Sequence, residues 1–363
     1  MNRLRVLVVE DSATIRSYLT GVLRKDPSME VIGEAVNGRE AVEMCARLKP
    51  DVITMDMMLP EMNGVLATEQ IMAYNPTPIL IVSASVNRGE AFRTYDALAA
   101  GAVDVLEKPH VDEDGDGWEK RFLSTVRIVS RIKVITHPRG KLRAQNVTAS
   151  GSSSQPAASS FTPAGRASGK IDLIAIGAST GGPAALVSIL AALSPKFPLP
   201  VLVVLHISDL FAFAFADWLG GQIALPVRMA KDGERLPQKG TPGVVLAPAG
   251  RHMIVDGGRI QLTTTEERNS CRPSIDELFD SVAREVGERA AMVLLTGMGK
   301  DGAQGLLSGR KAGAETIAQD EASSIVFGMP GEAVRLGAAS HVLPLDGIAG
   351  YLKKLAGEAS IER

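Results

Sequence analysis

The sequence predicts an α/β protein built as two doubly wound parallel-sheet domains, and three observations carry that prediction. The 363 residues exceed what one ordinary core organises. Apolar strand-like runs alternate with helical patterns in both halves of the chain. Between the halves, residues 139–169 are rich in Ser, Ala, Gly and Pro, carry Arg139, Lys141, Arg143 and Arg166, and contain no acidic residue. Such a stretch cannot bury enough apolar surface to offset chain entropy and reads as a linker. As a flexible coil of about 30 residues its ends average roughly 30 Å apart. The expected division is therefore a first domain over 1–138, a linker over 139–169 and a second domain over 170–363.

In the first domain, strand-like runs at Arg5 to Val9, Asp51 to Met55, Pro78 to Val82 and Val103 to Leu106 are interleaved with helical patterns at Glu40 to Leu48 and Glu90 to Ala100. In the second, strands are expected at Ile171 to Ile176, Val201 to Leu205, Val244 to Leu246, Ala291 to Leu295 and Glu315 to Ala318. Ser274-Ile275-Asp276-Glu277 has capping-box spacing and should open a helix through Leu278, Phe279 and Val282. The uncharged stretch Leu173 to Pro195 is long enough to span a bilayer, but Gly181-Gly182-Pro183 interrupts it, so it reads as buried strand, loop and helix.

Composition narrows the partners. With 45% apolar and 22% charged residues the chain is of globular type, and a formal net charge of −2 gives no pull toward nucleic acid or a membrane surface. Met1-Asn2-Arg3-Leu4-Arg5 leads into the first strand without an apolar signal region, so a cytoplasmic protein that is not membrane-embedded is expected. Cys45 and Cys271 are the only cysteines and fall in separate domains; no disulfide framework or zinc site can be built from the two.

Open parallel sheets gather function at the carboxyl ends of their strands. In the first domain those ends present Glu10 and Asp11, then Asp56, then Ser83, then Lys108. Three carboxylates with a lysine and a hydroxyl make a hard oxygen-lined pocket suited to Mg²⁺, with Asp56 as phosphoryl acceptor. Lys108 would pair with the phosphate, and Ser83 would hydrogen-bond to it and report its presence. This constellation, with Val9-Glu10-Asp11-Ser12, Met55-Asp56, Leu59-Pro60-Glu61-Met62-Asn63-Gly64, Ser83-Ala84 and Lys108-Pro109, resembles a response-regulator receiver domain. The resemblance implies a flavodoxin-like fold and a phosphodonor histidine kinase. Many receivers place an aromatic residue three positions before the lysine, where this chain has Val105.

In the second domain, Gly177-Ala178-Ser179-Thr180-Gly181-Gly182-Pro183 follows a strand and precedes an apolar helix. Such a loop can cradle phosphate or expose a serine on a sharp turn. The dinucleotide pattern is missing, and no Asp or Glu occurs from Leu173 to Ser208 to hold a ribose. The loop fits G-x-S-x-G instead. Its partners are His206, at the end of the next strand, and Asp301, in Gly297-Met298-Gly299-Lys300-Asp301-Gly302, so hydroxyl, imidazole and carboxylate should meet at one sheet edge. His252 and His341 are rival bases, His252 the second choice.

The second domain also resembles the chemotaxis protein-glutamate methylesterase family. Matching segments are Gly177 to Pro183, Ala247-Pro248 with His252-Met253, Arg272-Pro273-Ser274-Ile275-Asp276, Thr296 to Gly299 with Asp301-Gly302-Ala303, and Gln319 to Ser324 with Phe327-Gly328-Met329-Pro330. The resemblance implies a Rossmann-like hydrolase with a Ser179–His206–Asp301 triad, Thr180 in support and the Met298 N–H at the oxyanion. It implies hydrolysis of glutamyl γ-methyl esters on chemoreceptor helices, with deamidation of glutamine, and no cofactor for ester hydrolysis. It also implies that the unphosphorylated receiver covers the edge bearing Ser179. Where relatives read Gln-His-Met-Pro, this chain has Leu205-His206-Ile207-Ser208, and a usual arginine is Trp218. Those departures keep two alternatives: a non-catalytic receptor-binding adaptor, and a relative serving a non-flagellar chemosensory system. The Phe211 to Phe215 stripe reads first as a buried helix face and second as an interaction surface.

Overall fold

A computed structural model describes residues 3–84, 88–109, 115–132, 134, 170–207 and 209–357. The expected linker, residues 139–169, lies outside the described residues. The first domain runs β1 (Leu4–Val9), α1 (Ala13–Lys25), β2 (Met29–Ala35), α2 (Gly38–Leu48), β3 (Val52–Met55), α3 (Gly64–Tyr74), β4 (Ile79–Ser83), α4 (Arg88–Ala99), β5 (Asp104–Glu107) and α5 (Gly115–Ser130). Its five strands form a parallel sheet in the order β2-β1-β3-β4-β5. The chain winds outward from β1 first one way and then the other, so helices cover both faces and the inner strands are continuous apolar runs. β3 shows the result: Val52, Ile53, Thr54 and Met55 are all buried.

The second domain contains β6 (Leu173–Ala178), α6 (Gly182–Ala191), β7 (Val201–Leu205), α7 (Asp209–Gln222), β8 (Val227–Met229), β9 (Val244–Leu246), a β10 (His252–Asp256) to β11 (Arg259–Thr263) hairpin, α8 (Ile275–Glu285), β12 (Ala290–Leu294), α9 (Ala303–Lys311), β13 (Glu315–Gln319), α10 (Met329–Arg335), β14 (His341–Leu343) and α11 (Leu345–Ala356). Its seven-stranded parallel sheet has the order β14-β13-β12-β6-β7-β9-β8. The order reverses at β6, between β12 and β7. Three loops leave the carboxyl ends of these adjacent strands and supply Ser179, His206 and the 296–302 segment. The uncharged Leu173 to Pro195 stretch is β6, loop and α6, and no helix among the described residues is long and apolar enough to cross a membrane.

The sequence reading omits β2, β8, β14 and the β10–β11 hairpin. β2, β8 and β14 are sheet edges, and β8 and β14 have only three residues each. An edge strand is half solvated, so its apolar run is broken by residues such as Glu30, Glu34 and Arg228 and loses the buried-strand pattern.

The two domains share one continuous apolar cluster. α4 of the first packs against α7 and α6 of the second. Tyr95 packs against both Phe215 and Trp218, with ring centroids 5.1 and 5.0 Å away, and those two rings also touch each other at 5.8 Å. Two hydrogen bonds cross here: Tyr95 Oη donates to the Phe211 carbonyl at 2.5 Å, and Trp218 Nε1 donates to Asp96 Oδ1 at 2.9 Å. Both readings of the aromatic stripe thus meet, because Phe211 and Phe215 are buried and the surface they help build is the contact between domains. Trp218, the departure noted in the sequence, belongs to the same contact.

Candidate active site and phosphoacceptor pocket

In the first domain, β1, β3 and β5 deliver Glu10, Asp56 and Lys108 to one point. Lys108 Nζ lies 2.9 Å from Glu10 Oε2 and 3.2 Å from Asp56 Oδ1. Glu10 and Asp56 are buried while Asp11 is exposed. Burial raises the pKa of both inner carboxyls, and for Glu10 the Asp56 charge adds to the rise. Burial works against the Lys108 charge too, but the two carboxylates outweigh it and raise its pKa. Glu10 Oε2 is buried, and its close partner is the Lys108 ammonium. Glu10, Asp11 and Asp56 offer oxygens within 4.8 Å of one another. Three converging carboxylates against the one lysine make an oxygen donor set that fits a hard divalent cation.

Ser83 ends β4, but its hydroxyl does not point at the carboxylates. It donates to Glu90 Oε1 on α4 at 3.1 Å, and Glu90 is itself buried. Sequence reasoning passed over Glu90, whose position in an amphipathic helix looks like an ordinary solvated one.

In the second domain, Ser179 sits between the end of β6 and α6. Gly181 has φ +77° at the helix cap, a left-handed conformation that glycine adopts without a Cβ clash and that turns the chain sharply after the serine. The Ser179 N–H donates to Thr296 O at 3.0 Å, tying the loop to the end of β12. A Cβ on Gly297 would stand 2.7 Å from Ser179 Cβ, so only glycine allows the 297–299 loop so close to the serine.

His206 leaves β7 with Nε2 2.9 Å from Asp301 Oδ2. Asp301 is buried and heavily bonded: Ser274 Oγ donates to Oδ1 at 2.7 Å, Ile275 N to Oδ2 at 2.6 Å, and Asn269 Nδ2 to Oδ1 at 3.0 Å. Burial opposes ionisation of Asp301, but His206 and these donors outweigh it and hold its pKa at about 2. Burial likewise opposes an imidazolium at His206, while hydrogen bonds to Asp301 and Cys271 and the charges there take it up to about 9. Ser179 and His206 line one cavity of about 360 Å³. Among the described residues the Ser179 hydroxyl makes no hydrogen bond.

His252 and His341, the other candidate bases, do not line the cavity that Ser179 and His206 share. His252 is fully buried; Ser274 N donates to its Nδ1 at 3.1 Å and its Nε2 lies 3.1 Å from Glu266 O, so both nitrogens are occupied. It supports the Ser274 loop that holds Asp301. His341 stands on edge strand β14 with Tyr351 Oη at 2.8 Å and Glu315 at 3.4 Å. Thr180 lines the same cavity, and its hydroxyl donates to Asp104 Oδ2 of the first domain at 3.0 Å. Met298 is half exposed on the loop beside Ser179. Ser274 and Asn269 were missed as site residues; Ser274 was legible only as a helix cap, and that is half its role, since its Oγ also accepts from Glu277 N.

The first domain covers this cavity. Leu98, Asp104 and Val105 line one wall, opposite Ser179, His206 and Cys271.

The comparisons agree with this layout. Residues 174–352 match the CheB methylesterase family model and residues 6–115 the response regulator receiver domain model. The chain is 44% identical over 362 residues to the protein-glutamate methylesterase/protein-glutamine glutaminase 4 of Geobacter metallireducens, covering 98% of this chain and 99% of that one. It is 43% identical over 360 residues to protein-glutamate methylesterase/protein-glutamine glutaminase 1 of Syntrophus aciditrophicus, covering 98% and 99%. Among solved structures, the CheB methylesterase catalytic domain of Thermotoga maritima is 35% identical, covers 51% of this chain and 98% of its own, and has a TM-score of 0.48. With near-complete coverage of both relatives at this identity, the chain belongs to the CheB methylesterase family and carries its receiver domain at the N-terminal end.

Proposed function

We propose that this receiver-linked protein-glutamate methylesterase and protein-glutamine glutaminase works through Ser179, His206 and Asp301. The observation that carries the reading is the 2.9 Å His206–Asp301 contact beside a serine on a glycine-held turn. Ser179 Oγ attacks the glutamyl ester carbonyl while His206 takes its proton through the nitrogen turned away from Asp301. His206 then returns the proton to the leaving methanol, and water hydrolyses the acyl-serine by the same relay. A glutaminyl amide follows the same route with ammonia leaving. Asp301 fixes the tautomer, and its donors from Ser274, Ile275 and Asn269 fix Asp301. The Met298 N–H, on the loop against Ser179, is the oxyanion donor; such donors contribute roughly 3 to 4 kcal/mol each. The substrates are glutamyl side chains on chemoreceptor helices, and the enzyme acts in the cytoplasm without being membrane-embedded.

Asp56 is the phosphoryl acceptor, supplied by a histidine kinase. Glu10, Asp11 and Asp56 would hold Mg²⁺, which when bound screens charge at the phosphoryl group. Lys108 pairs with the phosphate. The buried Ser83–Glu90 bond supports a relay suited to a chain with Val105 in place of an aromatic: when Ser83 turns to the phosphate, α4 loses its bond to β4. α4 also carries Tyr95, Asp96 and Leu98 into the contact that covers Ser179, so its shift opens the cavity. Residues 139–169 serve as the tether that allows the domains to part.

Methanol release from methylated receptor fragments, with and without a small-molecule phosphodonor, tests nucleophile, substrate and switch together. Wild type should release methanol faster with phosphodonor, and Ser179→Ala should release none above background. Equal release by the two proteins would favour the receptor-binding adaptor.

A further inference from the structure

Cys271 has no part in the hydrolysis, yet it stands at the centre of the site. The loop between β11 and α8 brings its Sγ to 3.8 Å from His206 Nδ1, the ring nitrogen turned away from Asp301. Two ligands of a tetrahedral zinc-class ion, at about 2.0–2.1 Å for imidazole nitrogen and 2.3 Å for thiolate, stand roughly 3.5 Å apart. The pair needs only a small closure to share such an ion. Behind the ring, Asp301 makes the carboxylate–histidine contact that orients metal-binding imidazoles, and one of its oxygens lies within 4.8 Å of ligand atoms on both other residues. The pair also lines an open cavity, so water can complete the coordination. Thiolate with imidazole selects zinc-class ions over Mg²⁺ or Ca²⁺. Cys45 cannot join, as the sequence implies; the partners of Cys271 come from distant elements.

We propose that His206 and Cys271, with Asp301 behind the imidazole, form a binding site for a zinc-class divalent cation, and that its occupancy stops ester hydrolysis. On binding, the Cys271 thiol releases its proton to solvent, and the metal takes the His206 lone pair that would accept the Ser179 proton. This inhibitory half rests on the reading of His206 as the base; the binding half does not.

The test is Co²⁺ titration of the reduced full-length protein in excess Mg²⁺, which occupies the oxygen-only receiver pocket. A thiolate-to-cobalt charge-transfer band should grow to one equivalent and disappear when Zn²⁺ is added. Cys271→Ser and Cys271→Ala should both lack it, each checked for native circular dichroism. Cys45 is buried against Thr77 and should contribute none. Absence of the band in wild type, or its survival in both variants, overturns the site. In parallel, Zn²⁺ should suppress methanol release by wild type, and at least ten times more should be needed with Cys271→Ala. A Cys271-dependent band with methanol release indifferent to Zn²⁺ supports the site and overturns the inhibitory half, while methanol release by metal-free His206→Ala, expected at background, reads the role of His206 as base separately.

Discussion

Tyr95→Phe removes one oxygen atom from the contact between domains. The Tyr95 hydroxyl is buried and donates to the Phe211 carbonyl at 2.5 Å, and burial pushes its pKa far above the usual phenol range, so it remains a donor at any working pH. The ring would keep its packing against Phe215 and Trp218. What is lost is one hydrogen bond, added to a carbonyl that already lies within the α7 ladder, with a net worth of about 0.5–1.5 kcal/mol in the closed arrangement alone. The open arrangement does not make this bond, so the closed-to-open ratio should fall by roughly 2- to 13-fold. Methanol release from methylated receptor fragments without phosphodonor should therefore rise by up to that factor, bounded by the rate of the phosphorylated enzyme. Stimulation by phosphodonor should shrink correspondingly. A folded Tyr95→Phe protein with wild-type basal rate and wild-type stimulation would refute the idea that this contact holds the site closed.

Other perturbations follow from the same geometry. Because His206 must be neutral to act as base and its pKa is raised to about 9, methanol release should climb with pH toward a midpoint near 9. Asp301→Asn should bring that midpoint down and slow the rate by about 10³- to 10⁴-fold, read from pH–rate profiles of both proteins. The same shift bears on stability: the His206 contribution is full below its unfolded value of 6.5 and is lost as pH rises through about 9, so melting temperatures of wild type and His206→Ala should converge at the alkaline end. Gly297→Ala forces a Cβ to within 2.7 Å of Ser179 Cβ and of the Met329 side chain; kcat should drop with circular dichroism retained. Ser83→Ala should lower the ratio of phosphodonor-stimulated to basal methanol release toward one, measured alongside phosphorylation of Asp56 to show that the acceptor still works.

Much of this was legible in the sequence because parallel α/β sheets write themselves plainly. Inner strands are covered on both faces, so β1, β3, β4, β6, β7, β9, β12 and β13 appear as short apolar runs, and the residue after each run falls at the functional edge. That brought Glu10 and Asp56 together, and Ser179 with His206, while Lys108 follows the half-buried edge strand β5, whose Val103 to Leu106 run stayed visible. The edge strands β2, β8 and β14 were hidden, since half-solvated backbone tolerates charge. Tertiary structure decided whatever depends on partners remote in sequence. It placed both nitrogens of His252 against backbone groups, outside the lining of the cavity that Ser179 and His206 share. It turned Thr180 toward Asp104 and Ser83 toward Glu90, because a short side chain bonds to whichever acceptor the packing presents. It also set Cys271 beside His206 and clasped Trp218 to Asp96, contacts between residues 65 and 122 positions apart that no local pattern records.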